Sequence, residues 1–142
     1  MFNWFKSNPA PEFEIKAIGT FYQQKISGYY SWEKAYDIFS IGQEMLLTIY
    51  TGSDSIPTPE QVSAVQVLRH QYNQLIESIF SYLIDDERSS LTVENFKQLY
   101  ALIEITLNEN SRTWTYTFES PHESRFLRVI IEGDEVIDFY ED

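Results

Sequence analysis

The feature that most constrains the fold of this chain is an amphipathic pattern that begins at Thr58. Thr58 has an N-cap hydroxyl, Pro59 occupies the first helical position, where a missing N–H costs nothing, and Gln61 completes a capping box. Apolar residues then recur at three- and four-residue spacing from Val62 to Leu83. This spacing predicts one helix of roughly 25 residues. Its apolar face must pack on a sheet or on another helix.

Upstream of this helix, the pattern is typical of strands. Ser27-Gly28 supplies a turn, and Tyr29 to Trp32 follow it. The segments with strand character are residues 13–17, 21–26, 36–39 and 45–50. Short segments of this kind, separated by turn residues, predict an antiparallel meander in the first third of the chain.

Downstream, Thr92 can cap a second, shorter helix, and the period of the pattern then changes to two. The expected strands are residues 102–107, 113–118, 125–131 and 136–139, with Gly133-Asp134 as a two-residue hairpin turn. Residues 113–118 place threonine on one face and Trp114, Tyr116 and Phe118 on the other, which predicts a half-buried strand.

The order of these elements predicts an α+β fold. We expect an antiparallel sheet, made of an N-terminal meander and a C-terminal four-stranded meander. One long amphipathic helix and one short helix pack on it. Pro9-Ala10-Pro11 ends a leader, so residues 1–11 are predicted to be flexible and residues 12–142 to form a single domain.

The charge of the chain restricts its partners. The formal net charge is -12 over 142 residues, whereas 43% of the residues are hydrophobic and 16% are aromatic. Such a composition predicts a folded domain with a strong negative field, which disfavours binding to nucleic acid or to an anionic membrane.

The N-terminal residues have no apolar run like that of a signal peptide, and the chain contains no cysteine. We therefore expect a cytoplasmic protein.

One cluster has acid–base character, and it lies in a predicted turn. His122 titrates near neutrality, and Glu119 or Glu123 can orient it, so these residues are the candidate site for an enzyme. The other histidine, His70, is expected on the polar side of the long helix. The sequence has no nucleophile motif, phosphate-binding glycine loop or metal-ligand spacing, so we predict no cofactor and no metal.

The end of the chain is strongly acidic. It predicts a surface for a basic partner, with an aromatic anchor among the carboxylates. The candidate partner-binding residues are Glu132, Asp134, Glu135, Asp138, Tyr140, Glu141 and Asp142. A charge of this sign also serves solubility alone, and the sequence leaves both interpretations open.

Several short motifs resemble a group of small bacterial domains of unknown function. The motifs are the Met1 to Lys6 start, Ile18-Gly19-Thr20-Phe21, Tyr30-Ser31-Trp32, Pro59-Glu60-Gln61, the turn over residues 118–123 and the hairpin over residues 129–134. In those domains the turn has the order acidic-Glu-His-Gly, whereas here His122 precedes Glu123 and Ser124 replaces glycine. Some of them occur beside polymorphic-toxin genes and are suspected immunity proteins, so the resemblance implies a basic toxin as the partner.

These observations favour a non-enzymatic acidic binding protein that neutralises or regulates a basic protein partner, in the manner of an immunity protein. Two alternatives stay open. The first is a small-molecule enzyme that uses His122 with nearby carboxylates. The second is a structural domain that self-associates through a sheet edge. The sequence does not set the oligomeric state.

Overall fold

The computed structural model describes residues 10–37, 44–84, 101–120 and 125–141. These residues form an eight-stranded sheet and two helices, which confirms the α+β fold. The strands are β1 (Glu12–Ile15), β2 (Gly19–Ile26), β3 (Tyr29–Tyr36), β4 (Met45–Gly52), β5 (Ala101–Leu107), β6 (Thr113–Ser120), β7 (Arg125–Glu132) and β8 (Glu135–Glu141). The helices, α1 (Pro59–Gln66) and α2 (Leu68–Ile84), lie between β4 and β5 in the chain.

The strands lie in the sheet in the order in which they occur in the chain. β1 to β4 form one antiparallel meander, and β5 to β8 form a second one. The two meanders join where β4 and β5 pair in parallel, with Leu47 opposite Ile105 and Ile49 opposite Leu107. Parallel neighbours need a long crossover connection, and α1 and α2 lie in it. Both predicted meanders are confirmed; their parallel junction was not predicted.

Positive backbone angles explain two of the hairpin turns. Ser27 and Gly28 have φ angles of 52° and 83°, and they form the two-residue turn between β2 and β3. Gly133 has a φ of 62° in the turn between β7 and β8. Positive φ at both central residues, as in Ser27-Gly28, or at the first one alone, as at Gly133, gives a turn whose twist matches that of the strands it joins.

The helix start is confirmed in detail. The amide of Gln61 donates to the Thr58 hydroxyl, and the Thr58 amide donates to Oε1 of Gln61, at 3.1 Å in each case. The Gln61 side chain is fully buried, and its Nε2 donates to the carbonyl oxygens of Tyr50 and Asn108, at 2.9 and 3.1 Å. These two carbonyls lie in β4 and directly after β5, so one side chain connects the helix start to both strands of the parallel junction.

The prediction of one continuous helix is wrong. Val67 has φ −102° and ψ 6° and separates α1 from α2, which begins with the Gln71 amide donating to the Val67 carbonyl at 2.9 Å. The apolar spacing does not reveal this break, because Val65 and Leu68, on either side of it, are both fully buried. The exposed Val67 is the only residue between the two helices.

The core lies between the helices and one face of the sheet. Val65, Leu68, Tyr72 and Ile79 are its main buried helical residues. Its largest buried strand residues include Phe21, Trp32, Leu47, Ile49, Ile105, Trp114, Tyr116 and Phe118. The predicted alternation of residues 113–118 is thus confirmed, since the three aromatic residues lie in the core.

Two strand boundaries differ from the predictions. Tyr36 ends β3 rather than starting a new strand, because Lys34 lies on the helix-covered side between Trp32 and Tyr36 and interrupts the apolar alternation. The predicted run over residues 13–17 ends at Ile15, and Ala17 has a φ of 72° in the following turn.

Some predictions lie outside the described residues. They are the short helix capped by Thr92, residues 38 and 39 of the predicted 36–39 strand, and residues 1–9 of the predicted leader. Pro11, at the end of that leader, accepts a hydrogen bond from the Gln23 amide at 3.0 Å.

Candidate binding face

The face of the sheet opposite the helices carries the side chains that point away from the core, and we call it the open face. Successive strand residues point to opposite sides, whereas paired residues of neighbouring strands point to the same side. The neighbours of core residues along each strand therefore identify the positions of the open face. Both described helices lie on the other face. The acidic residues at open-face positions are Glu12, Glu14, Glu33, Glu104, Glu119, Glu132, Glu135 and Asp138.

Basic residues are scarce at these positions. Within the described strands, Arg128 alone provides a cation on the open face, where it lies opposite Thr117 and Tyr140. Its guanidinium carbon lies 5.9 Å from the centre of the Phe126 ring. Lys25 and Lys34 alternate with Gln24 and Glu33 and therefore belong to the helix side of the sheet. The open face is consequently acidic as a whole.

The centre of the open face holds two carboxylates on either side of a threonine. Glu33 lies directly opposite Thr48, and the Thr48 hydroxyl donates to Oε2 of Glu104 at 3.5 Å. Partial burial and the nearby Glu104 carboxylate both raise the pKa of Glu33, with burial as the larger cause. Two like charges are thus held close together on a partly desolvated surface.

Aromatic residues lie on both sides of this centre. Tyr22 on β2 is 46% exposed and lies between Glu12 and Glu33. On the second meander, Phe126 and Tyr140 are 38% and 47% exposed. Exposed aromatic side chains among polar groups are common anchors of protein interfaces.

A shallow depression of about 510 Å³ lies on the first meander. Ala35 and Leu46, which face each other across β3 and β4, contribute apolar surface to it. Its other lining residues are Thr20, Tyr22, Glu33, Lys34 and Glu44. The depression therefore combines an aromatic ring, two carboxylates and an apolar patch beside the Glu33–Glu104 pair.

The structure distributes the predicted partner-binding residues over several surfaces. Glu132 and Glu135 face each other at an exposed position of the open face, and Tyr140 also belongs to this face. Asp138 lies opposite Ile130 and accepts a hydrogen bond from the Phe139 amide at 2.8 Å.

The remaining members of that set lie elsewhere. Asp134 is in the β7–β8 turn, and Glu141 lies opposite Leu127, on the helix-covered side. Asp142 lies outside the described residues. Of the seven predicted residues, Glu132, Glu135, Asp138 and Tyr140 therefore lie together on one margin of the open face.

The candidate acid–base cluster is described only in part. Glu119 is half-buried on the open face, opposite Ala101 and Phe126. His122 and Glu123 fall in residues 121–124, outside the described residues. His70 is exposed on α2, as predicted.

The sequence pattern does not indicate a site at Glu33, Thr48 and Glu104. Each lies at a polar position of an alternating strand, which by itself is the ordinary pattern of a solvated face. The parallel pairing of β4 with β5 brings Glu104 next to residues more than fifty positions earlier. The sequence contains no local signal for that pairing.

Within the described ranges, neither helix is long and apolar enough to cross a membrane. The same residues include no group of histidine and carboxylate side chains that is arranged to hold a metal ion. Comparisons with protein-family models, with curated proteins and with solved structures give no match to this chain.

Proposed function

We propose that this chain is a non-enzymatic binding protein whose open face covers a basic surface of a protein partner, and so neutralises or regulates it. The observation that carries this proposal is the composition of the open face. Carboxylates extend over both meanders, from Glu12 on β1 to Asp138 on β8, with Arg128 as the cation of the described strands on this side. The resemblance to suspected immunity proteins implies a basic toxin as the partner, and the charge of such a toxin is opposite to that of the open face.

Physical chemistry favours a protein partner of this kind. A net charge of -12 produces a field that attracts cationic surfaces and accelerates their association. Tyr22, Phe126 and Tyr140 add exposed aromatic area on the same side, which a flat protein surface can bury. Carboxylates across such an interface define the orientation of a basic partner.

The experiment compares two variants of equal net charge. The open-face variant carries Glu33→Gln, Glu104→Gln, Glu119→Gln and Asp138→Asn. The control changes exposed residues of the helices and loops: Asp54→Asn, Glu60→Gln, Glu77→Gln and Glu109→Gln. The wild type and both variants are immobilised, and lysate from the source organism is applied at low salt and eluted with a salt gradient. Retained proteins are identified, purified and titrated against each variant.

We expect one basic protein that the wild type and the control retain and that the open-face variant loses. Its dissociation constant should rise steeply with salt, since screening weakens the attraction between exposed charges. Equal loss from both variants would mean that net charge alone causes retention. Retention of no basic protein by the wild type would contradict the proposed function.

A further inference from the structure

The depression on the open face has the chemistry of a receptor for one particular side chain. Ala35 and Leu46 provide apolar surface, which suits an aliphatic side-chain stem. Tyr22 provides an exposed aromatic ring, and Glu33 and Glu44 provide carboxylate oxygens. A long cationic side chain satisfies all three kinds of surface together.

We infer that this depression binds an arginine side chain of the basic partner, with the guanidinium group against Tyr22 and Glu33. This inference rests on the proposed function, because it specifies how the open face recognises its partner. Arginine fits better than lysine, because its planar guanidinium stacks on aromatic rings, pairs with carboxylates through two hydrogen bonds and is less strongly hydrated.

The like-charge pair at the centre supports the same conclusion. Glu33 lies near Glu104 on a partly buried surface, where desolvation and the Glu104 carboxylate disfavour the negative charge of Glu33. A cation that binds beside Glu33 relieves this repulsion. Lys34 also borders the depression, but its side chain lies on the helix-covered side of the sheet, with its end beside Gly19. It therefore does not neutralise Glu33 on the open face.

The protein uses arginine–aromatic pairs within its own fold. The Arg69 guanidinium lies 5.6 Å from the centre of the Tyr36 ring, and that of Arg128 lies 5.9 Å from the Phe126 ring on the open face. Both distances are within the range of a cation–π contact. In the proposed complex, an arginine of the partner forms the same kind of contact with the Tyr22 ring.

The test uses a small probe, so that overall charge attraction contributes little. Nitrogen-15-labelled protein is titrated with Nα-acetyl-arginine amide, and its amide shifts are followed by NMR. The lysine and citrulline amides are the matched probes, since citrulline keeps the shape of arginine without its charge. We expect shifts confined to the strand segments around Tyr22, Glu33 and Leu46, with a dissociation constant on the order of millimolar. The lysine probe should bind roughly threefold more weakly, and citrulline should cause no shift.

Two leucine substitutions separate this site from the rest of the face. Ala35→Leu fills the depression without a change of charge, whereas Ala101→Leu makes the same change at another exposed position of the sheet. Ala35→Leu should weaken arginine binding by about tenfold, because the added side chain occupies the site. Ala101→Leu should leave it unchanged. Tyr22→Leu, at an exposed position, repeats the test if Ala35→Leu unfolds the protein.

Equal binding of the arginine and lysine probes would overturn the inference, as would normal arginine binding by Ala35→Leu or shifts located elsewhere. None of these results would contradict the proposed function, which depends on the comparison of the two charge-matched variants. If the two charge-matched variants retain the same proteins, the proposed partner is contradicted. The NMR titration with the arginine probe still shows whether the depression binds arginine.

Discussion

Glu33 and Glu104 share the centre of the open face, where burial and the nearby Glu104 carboxylate raise the pKa of Glu33. Because the folded state raises the Glu33 pKa above 4.5, the folded protein binds a proton more readily than the unfolded chain does. Between pH 4.5 and the raised pKa, the contribution of Glu33 to stability therefore falls as the pH rises. At neutral pH this carboxylate destabilises the fold.

Replacing this carboxylate is expected to stabilise the protein at neutral pH. Glu33→Gln should raise the melting temperature at pH 7, and the difference from the wild type should shrink as the pH falls to 4.5 and below, where Glu33 becomes protonated in both states. Thermal unfolding across this pH range measures the effect. Glu77→Gln, on an exposed helical position, is the control for the loss of one negative charge. An equal gain in both variants would show that the effect comes from net charge.

Tyr116 is fully buried, and its hydroxyl has no hydrogen-bond partner among the described residues. Its ring lies 5.6 Å from that of Tyr72, in a stacked arrangement, and burial raises the pKa of both phenols well above their usual value. A buried polar group without a partner costs free energy, whereas its ring stabilises the core. The hydroxyl and the ring of Tyr116 thus have opposite effects.

Two substitutions separate these effects. Tyr116→Phe should leave the free energy of unfolding unchanged or raise it by about 1 kcal/mol, because it removes only the unpaired hydroxyl. Tyr116→Ala should lower it by about 3–5 kcal/mol, because it leaves a cavity. Urea denaturation measures both. A clear loss of stability in Tyr116→Phe would indicate that the hydroxyl has a partner.

At the scale of elements, Gln61 connects α1 to both strands of the parallel junction. Its side chain forms part of the capping box and also donates to carbonyl oxygens of Tyr50 and Asn108. Replacing it by an apolar residue removes the donor of these two partly buried bonds. Gln61 should therefore contribute more to the free energy of unfolding than a residue that only caps a helix.

Gln61→Leu should lower the free energy of unfolding by about 2–3 kcal/mol, through the loss of the cap and of the two carbonyl bonds. The control is Gln74→Leu, which makes the same change at an exposed position of α2 and should have little effect. Chemical denaturation followed by circular dichroism compares the two variants. Similar stabilities would show that the carbonyls find other donors.

Local patterns predicted most of the elements, because each depends on neighbours in the chain. The Thr58 capping box, the Gly133 turn and the alternation around Tyr116 are examples, and all are confirmed. The break at Val67 escaped prediction because it keeps the buried stripe in phase. The Glu33–Glu104 pair escaped it because the parallel pairing depends on the whole sheet. This pair of carboxylates thus depends on the one junction of the described sheet that has no local signal.

At the scale of the whole molecule, the described sheet consists of two antiparallel meanders. The β4–β5 junction between them is parallel, and its long connection includes both helices. The helices reach both ends of the described sheet: Gln66 donates to the Lys16 carbonyl after β1, and Gln71 donates to the Gly133 carbonyl before β8. The two meanders therefore share one core.

The described sheet has one parallel junction, and the chain can be divided in the connection that leads to it. We expect fragments 1–84 and 85–142 to reassemble when mixed, with β4 pairing to β5 across the cut and α2 covering the second meander. Trp32 and Trp114, one buried in each half, should regain native near-ultraviolet circular dichroism only in the equimolar mixture. Failure of the mixture to regain it would show that the covalent connection is required. Success would make this acidic domain a split reporter, whose halves signal when two fused proteins meet.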